Sequence, residues 1–404
     1  MKHAGTFTRA ARACRAGAAN QAIVANVSAL LFVPFMRLYG FTYLQLGLLT
    51  AVCFCSQLAA DVALIFLIDR VSRRALAMAA SFFSCAGLLF FGSVPYLFPA
   101  AVYGGIVGAV AAFAFAGGML EVVLSNIADG LPENTGGIYL QRTVYAWVQA
   151  ALAVYLFAFQ LLFGAEHWNA AIFPLAAVPL LLPVFLARAK LPAREKAAPV
   201  RAAFRPVYLL AVLAVLLGYG AETAMNQWIA AFAADVFGSD AGGTVGSVLF
   251  CLLLGAGGAA FVFLRRRRGD LPVFAPALAA LLSAAAYVGA ALFASPALSF
   301  ACAAACGFFV GVLSPGAMSI ASRALPHTGG WMLASLALAQ DVGAAALPTL
   351  AGGISDAAGM RAGFLFSAAA PLLAAAFLFC MRPKAKRRLP LRKNKSLRRF
   401  KKIC

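Results

Sequence analysis

Charge is scarce in this chain. Only 11% of its 404 residues are charged and 13 are acidic, whereas a soluble domain carries about 25% charged residues. That excludes a soluble globular protein and, with so little polarity, a disordered one. Histidine is rarer still: His3, His167 and His327 are far apart. There is no His-Glu-x-x-His helix, and no histidine lies deep in an apolar run where it could serve a serine nucleophile. No Gly-rich loop with Lys is present to cradle a nucleotide phosphate. We therefore expect no enzyme activity, no metal site and no cofactor. Cysteine is the exception to this poverty, but Cys53, Cys55, Cys85, Cys251, Cys302, Cys306 and Cys380 fall inside apolar runs without metal-ligand spacing. They read as packing residues.

What is present is apolar surface, 63% of the residues. A bilayer crossing needs about 20 residues, and apolar segments fall at 17–37, 44–68, 75–95, 98–127, 139–164, 169–187, 207–235, 243–264, 272–293, 297–322, 331–352 and 362–381. The fold class expected is an all-α membrane protein with twelve transmembrane helices. The first segment follows an arm carrying Lys2, Arg9, Arg12 and Arg15 and reads as a retained anchor rather than a removable signal peptide. The formal charge of +20 comes from Lys and Arg concentrated between alternate segments and at both ends. With the N-terminus cytoplasmic, only Arg37 and Arg361 of the 33 basic residues fall on the other side. That asymmetry predicts both termini in the cytoplasm of a cell membrane, and alanine richness with short outer loops suits a bacterial inner membrane.

The longest hydrophilic stretch inside the chain, Arg188 to Arg205, divides it in two. A repeat supports the division. Ser125 precedes Leu131-Pro132-Glu133-Asn134-Thr135-Gly136-Gly137, and Ser319, 194 positions on, precedes Leu325-Pro326-His327-Thr328-Gly329-Gly330. Duplicated halves are the mark of many transporter folds. The organisation expected is a basic arm at 1–16, a six-helix bundle at 17–187, a linker at 188–206, a second six-helix bundle at 207–381 and a polybasic tail at 382–404.

Acids within apolar segments are costly, about 2.5–3.5 kcal/mol each at a helix centre, and mark function. Four lie deep: Asp61, Glu121, Glu222 and Asp341. Residues three, four and seven apart share a helix face, which sets Gln141, Tyr145 and Gln149 on one stripe, Tyr219, Glu222 and Asn226 on another with Trp228 beside it, and Gln57 with Asp61. Asn20, Gln21 and Asn26 open the first segment. These groups are expected around a hydrated central cavity. The four acids would handle protons, and Gln149, Tyr145, Asn226, Trp228, Tyr219, Asn26 and Gln57 would contact a substrate. The plainer alternatives are interhelical hydrogen bonds for the amides and an interface belt for Trp228. Gly104 and Gly108 read as a helix-packing pair. Arg265 to Arg268 read as topology signals, and the tail as lying on anionic lipid headgroups rather than on nucleic acid.

The segment Asp69-Arg70-Val71-Ser72-Arg73-Arg74 resembles the loop signature of the major facilitator superfamily, with Ile65 and Ser72 where that family has glycine. Gly118-Met119-Leu120-Glu121 and Gly220-Ala221-Glu222, with Trp228 and Phe232 following, resemble the fucose-permease-like branch and its bacterial relatives; the acid that branch carries on its first helix has no counterpart here. The resemblance covers about residues 15–382. It implies two pseudo-symmetric six-helix bundles, proton coupling through Glu121, and a conformational gate of Asp69, Arg70, Arg73 and Arg74. The function expected is alternating-access transport of a small polar solute, a sugar or similar metabolite, by proton-coupled uptake in a monomer. Exporters of amphipathic compounds, and a sensor or scaffold that has lost transport, are the alternatives.

Overall fold

The computed structural model describes residues 7–67, 70–129, 131, 137–192, 206–238, 240–268, 272–324 and 329–381. Among them the first half holds α1 (Thr8–Asn26), α2 (Phe32–Tyr39), α3 (Tyr43–Leu67), α4 (Arg73–Leu97), α5 (Val102–Asp129), α6 (Gly137–Phe163), α7 (Trp168–Leu175) and α8 (Leu181–Leu186). The second half holds α9 (Pro206–Phe237), α10 (Asp240–Arg268), α11 (Phe274–Leu292), α12 (Pro296–Ala324), α13 (Gly329–Ala358), α14 (Met360–Ser367) and α15 (Ala369–Cys380). The polybasic tail, Asp69 and most of the linker lie outside the described residues.

Three of the expected crossings are broken, and proline accounts for each break. Pro34, Pro179 with Pro183, and Pro371 lack the N–H that a continuous helix needs and press on the carbonyl four residues back. So α1 passes through a single 3-10 turn, Ala29–Leu31, into α2, with a bend of 41°. The same chemistry divides α7 from α8 and α14 from α15. Gly164 before the sixth crossing and Gly359 before the twelfth share one unusual backbone geometry, φ 87° and ψ 153° against φ 88° and ψ 160°. They stand 195 positions apart, so the duplication seen in sequence is repeated in a backbone geometry that glycine alone adopts readily.

Two sequence expectations change. The first helix begins at Thr8 rather than 17, because the alanine-rich arm favours helix and buries Ala10, Ala13 and Cys14. Ten helices among the described residues are long and apolar enough to cross a membrane, or eleven with α1 and α2 taken as one bent span. The missing crossing is α13, which has 30 residues but carries Gln340, Asp341 and Thr349 along its apolar run.

Packing separates the molecule into levels. We call the end where α2 leads into α3 distal, and the end holding residues 8 and 381 proximal. At the proximal end two apolar cores form separately. One is built only from the first half around Leu76, Leu120, Leu124 and Leu182, and one only from the second around Val215, Leu313, Leu336 and Leu378. At the distal end a single core takes Phe32, Phe35, Phe91 and Trp168 from the first half and Trp228, Phe232, Tyr287 and Phe364 from the second. The halves are thus fused distally and separately cored proximally, with α3 against α13 and α6 against α10 as the principal seams. The paired third and sixth crossings (α4 with α7 and α8), and likewise the ninth and twelfth (α11 with α14 and α15), pack within their own halves.

Gly104 and Gly108 do not pack helices. A methyl added to Gly104 meets nothing within 4 Å, and one on Gly108 meets only Phe90 at 4.0 Å. Close helix approach falls instead on Gly343, whose added methyl would stand 2.1 Å from the Leu216 carbonyl oxygen, and Gly257, at 2.1 Å from that of Phe308.

Candidate functional site

Where the two halves meet midway, polar side chains from α1, α6 and α9 join. The Asn26 amide, at the end of α1 where the helix breaks, donates to Tyr145 Oη at 2.9 Å. Asn226 Nδ2 donates to Asn26 Oδ1 at 2.8 Å, and Gln149 Nε2 donates to Asn226 Oδ1 at 2.7 Å. Because Tyr145 and Gln149 are one turn apart on α6, the bonds close a ring that crosses from one half to the other and returns.

An acid flanks the ring on each side. Glu222 stands at the middle of the 32-residue α9 and accepts a hydrogen bond from Ser314 Oγ on α12. Glu121 on α5 accepts from Gln21 Nε2 on α1 at 2.5 Å. Tyr145 lies within electrostatic reach of both glutamates, and so does Tyr219. Glu121, Glu222, Tyr145, Tyr219 and Asn226 remain half-buried, while Asn26 and Gln149 are buried. Midway along their helices, these groups keep open surface while facing other polar groups. That arrangement suits a wet interior, since lipid-facing backbone and side chains at this depth would have no partners. Gln21 is among the groups expected around the cavity, but its partner Glu121 is set by tertiary structure; Ser314 carries no sequence signal, since only the packing of α12 on α9 brings it to Glu222.

Other expected site residues are placed elsewhere. Asp61 and Asp341 are buried on α3 and α13. Gln57 is 2% exposed, with its amide on Cys53 Sγ at 3.6 Å, where α3 and α5 approach closely at Gly118. The side chain of Gln141 lies outside the described residues. Trp228, expected beside a solute, is walled off in the distal closure. It is wholly buried, with Phe32 and Tyr43 rings at 5.4 and 5.8 Å and its indole N–H on the Pro348 carbonyl at 2.9 Å. In this conformation the indole therefore meets aromatic rings and a backbone carbonyl, the environment that suits its apolar body and single N–H.

The distal closure has polar ties as well. Thr349 Oγ1 donates to the Gly47 carbonyl at 2.8 Å. At the rim, the Asp356 carboxylate accepts from the N–H groups of Tyr43 at 2.9 Å and Leu44 at 2.6 Å. These are the free donors at the start of α3, where a carboxylate is favoured by the helix dipole. The tie is solvent-exposed and contributes about 1 kcal/mol. Asp356→Ala should therefore raise the labelling rate of a cysteine placed at buried Thr50 by about fivefold, read at that site by mass spectrometry; an unchanged rate rejects the tie.

No curated relative matches the chain in sequence. A family model described as Major Facilitator Superfamily matches residues 263–404. Among solved structures, an E. coli fucose:proton symporter variant aligns at TM-score 0.68 and 17% identity, over 94% of this chain and 100% of that one. The inward-open E. coli xylose transporter aligns at 0.76 and 11%, over 94% and 97%. A bacterial homologue of the human lysosomal transporter Spinster, inward-facing and occupied, aligns at 0.71 and 15%, over 92% and 96%. The chain has the major facilitator fold. Sequence likeness to that superfamily is confined to residues 263–404, whereas the likeness of fold extends over nearly the whole chain.

The loop residues expected to gate lie within the first half. Arg73 donates to Asn126 Oδ1 at 3.0 Å and to the Pro192 carbonyl at 2.5 Å, and Arg74 donates to the Ala189 carbonyl. They tie the start of α4, capped by Ser72, to α5 and to the segment leaving α8. Arg70 is exposed, and Asp69 is outside the described residues. On the distal side Arg361 donates to the Ala291 and Phe293 carbonyls at 3.0 and 2.8 Å, closing the C-terminus of α11.

Proposed function

We propose that this protein takes up a small, neutral, hydroxyl-rich solute, a sugar or similar polyol, by alternating access driven by protons. The observation that carries the reading is the ring of Asn26, Tyr145, Gln149 and Asn226 between two half-buried glutamates, one from each half. Amides and phenols offer paired donors and acceptors, the match for a ring of hydroxyls, and the four ring residues bear no charge that would select an ion. Glu121 and Glu222 would each hold a proton at depth and release it as their hydrogen-bond partners shift. Tyr219 would complete the site, and Gln57 would position α3 against α5.

Fusion at the distal end with separate proximal cores fits the proximally open member of an alternating pair. Read with the basic-residue asymmetry, the proximal end is cytoplasmic and both termini lie inside, in a bacterial inner membrane, with the tail on anionic lipid. We assign the working unit as a monomer. Arg73 and Arg74 would act on the cycle by holding the first half rigid. The fucose:proton symporter has the kind of solute and ion that this reading extends to the chain.

The test is uptake into proteoliposomes under an acid-outside gradient, with labelled pentoses, hexoses and deoxyhexoses. Accumulation of at least one, abolished by a protonophore, is expected. Accumulation only of amphipathic drugs, or no proton-dependent flux of any sugar, overturns the reading.

A further inference from the structure

Asp61 and Asp341 do more than add two acids to the site. They sit on α3 and α13, which belong to different halves and form a principal seam between them. Both are buried, 7% and 4% exposed, and their carboxyls are in hydrogen-bonding contact with each other. Asp61 Oδ1 and Asp341 Oδ2 are fully enclosed, and no N–H or O–H among the described residues reaches either. A carboxylate only accepts hydrogen bonds, so with no outside donor the contact needs a proton that one of the two acids carries.

The surroundings do not offset the charge. The titratable groups that act on the pair are Glu121 from α5, Tyr219 from α9, and Cys53 and Cys55 from α3 itself. Each adds negative charge if it ionises and none can add positive charge. Of the other helices packed against α13, α14 has its one charged residue, Arg361, turned to the carbonyls ending α11, and α12 has only Arg323, near its proximal end, whose side chain lies outside the described residues. Position along the seam gives the pair its leverage. Asp61 is 18 residues from Tyr43, about 27 Å at 1.5 Å per residue, so it marks the proximal reach of contacts that begin at the Asp356 rim and pass through Gly47 and Thr349.

We infer that Asp61 and Asp341 form a single proton-binding site spanning the two halves, and that the α3–α13 seam stays joined to this depth only while the proton is held. The inference rests on the alternating-access reading, not on the identity of the solute or on Glu121 as the carrier. Losing the proton leaves two carboxylates in contact inside the protein, which repel. Gaining it restores one donor and one acceptor. Proton occupancy would thereby act on the movement of the halves directly, at a place separate from the solute ring.

The experiment uses the full-length protein in nanodiscs, native cysteines replaced, with spin labels at Ala75 and Phe274, exposed positions at the proximal ends of α4 and α11 in opposite halves. Pulsed electron resonance should show the interlabel distance moving to longer values as pH rises. Asp61→Asn and Asp341→Asn should each lose that shift, because an amide donates to the remaining carboxylate at every pH. Infrared spectra of the unlabelled protein provide a second readout: a protonated-carboxyl band, sensitive to deuterium exchange, should be lost in Asp61→Asn. An unchanged pH shift in both asparagine variants, no shift in the parent, or an infrared band unaffected by either variant overturns the proposal. Absence of sugar uptake with the distance shift intact would overturn the solute reading alone.

Discussion

Replacing Glu121 by Gln should lower proton-driven accumulation by about 100-fold while exchange of solute across equal pH continues near the parental rate. The size follows from what one positioned proton carrier contributes, about 10²–10⁴ in rate. The selectivity follows from geometry. Gln21 Nε2 donates to Glu121 Oε2 at 2.5 Å, and the amide oxygen of a glutamine can accept the same bond, so α1 and α5 remain joined. What disappears is the ionisable group, and Glu121 is the acid with the widest electrostatic reach in the centre: Asp61, Asp341, Tyr145 and Tyr219 all feel it. Counterflow and gradient-driven uptake measured on the same proteoliposomes separate the two outcomes. Undiminished accumulation, or equal loss of exchange, rejects Glu121 as a coupling group.

Gly343→Ala should be among the most damaging of the single-methyl changes, with Gly257→Ala its equal in geometry. The new carbon would stand 2.1 Å from the Leu216 carbonyl oxygen, and a methyl added to the facing Gly220 would likewise stand 2.9 Å from the Gly343 oxygen. Both obstacles are backbone, so α9 and α13 would have to separate. Overpacking of this kind costs about 3 kcal/mol or more where the neighbour cannot give way, and the seam behind Asp341 would shift with it. Thermal unfolding followed in detergent should fall by about 5 °C. Gly104→Ala, with nothing within 4 Å, is the control and should match or slightly exceed the parent because alanine is the better helix former. Equal melting of the two variants would show that the α9–α13 approach is not fixed by glycine.

The all-helical membrane class, the internal repeat and the depth of Asp61 and Asp341 were legible because each depends on local composition or spacing, while twelve expected crossings compare with ten or eleven among the described residues. The limits of such reading are equally physical. Residues 331–352 were recognised as a crossing from their overall apolarity, yet α13 is polar enough at Gln340, Asp341 and Thr349 to miss the length-and-apolarity measure that the other spans meet. Periodicity gives the face of a helix but not what that face meets. Trp228 lies beside the stripe of Tyr219, Glu222 and Asn226, and the two residues from Asn226 turn it about the helix to the face that meets the Phe32 and Tyr43 rings. Gly104 and Gly108 have the spacing of a packing pair, but their face has no partner, whereas Gly220 and Gly343, on different helices, have no spacing to notice. Arg73 and Arg74 matched a loop signature, and their hydrogen-bond partners at Asn126, Pro192 and Ala189 come from long-range folding within one half.

The ring that joins the halves is made of three amides and a phenol. Those groups keep their protonation through the physiological range, and their mutual attraction is short-ranged dipole contact, which dissolved salt screens far less than it screens separated charges. The centre can therefore open and re-form in the same way across ordinary acidity and ionic strength. Sensitivity to the environment is left to the carboxyls around it, so under the proposed cycle the grip on a solute would stay constant while the response to acidity varies.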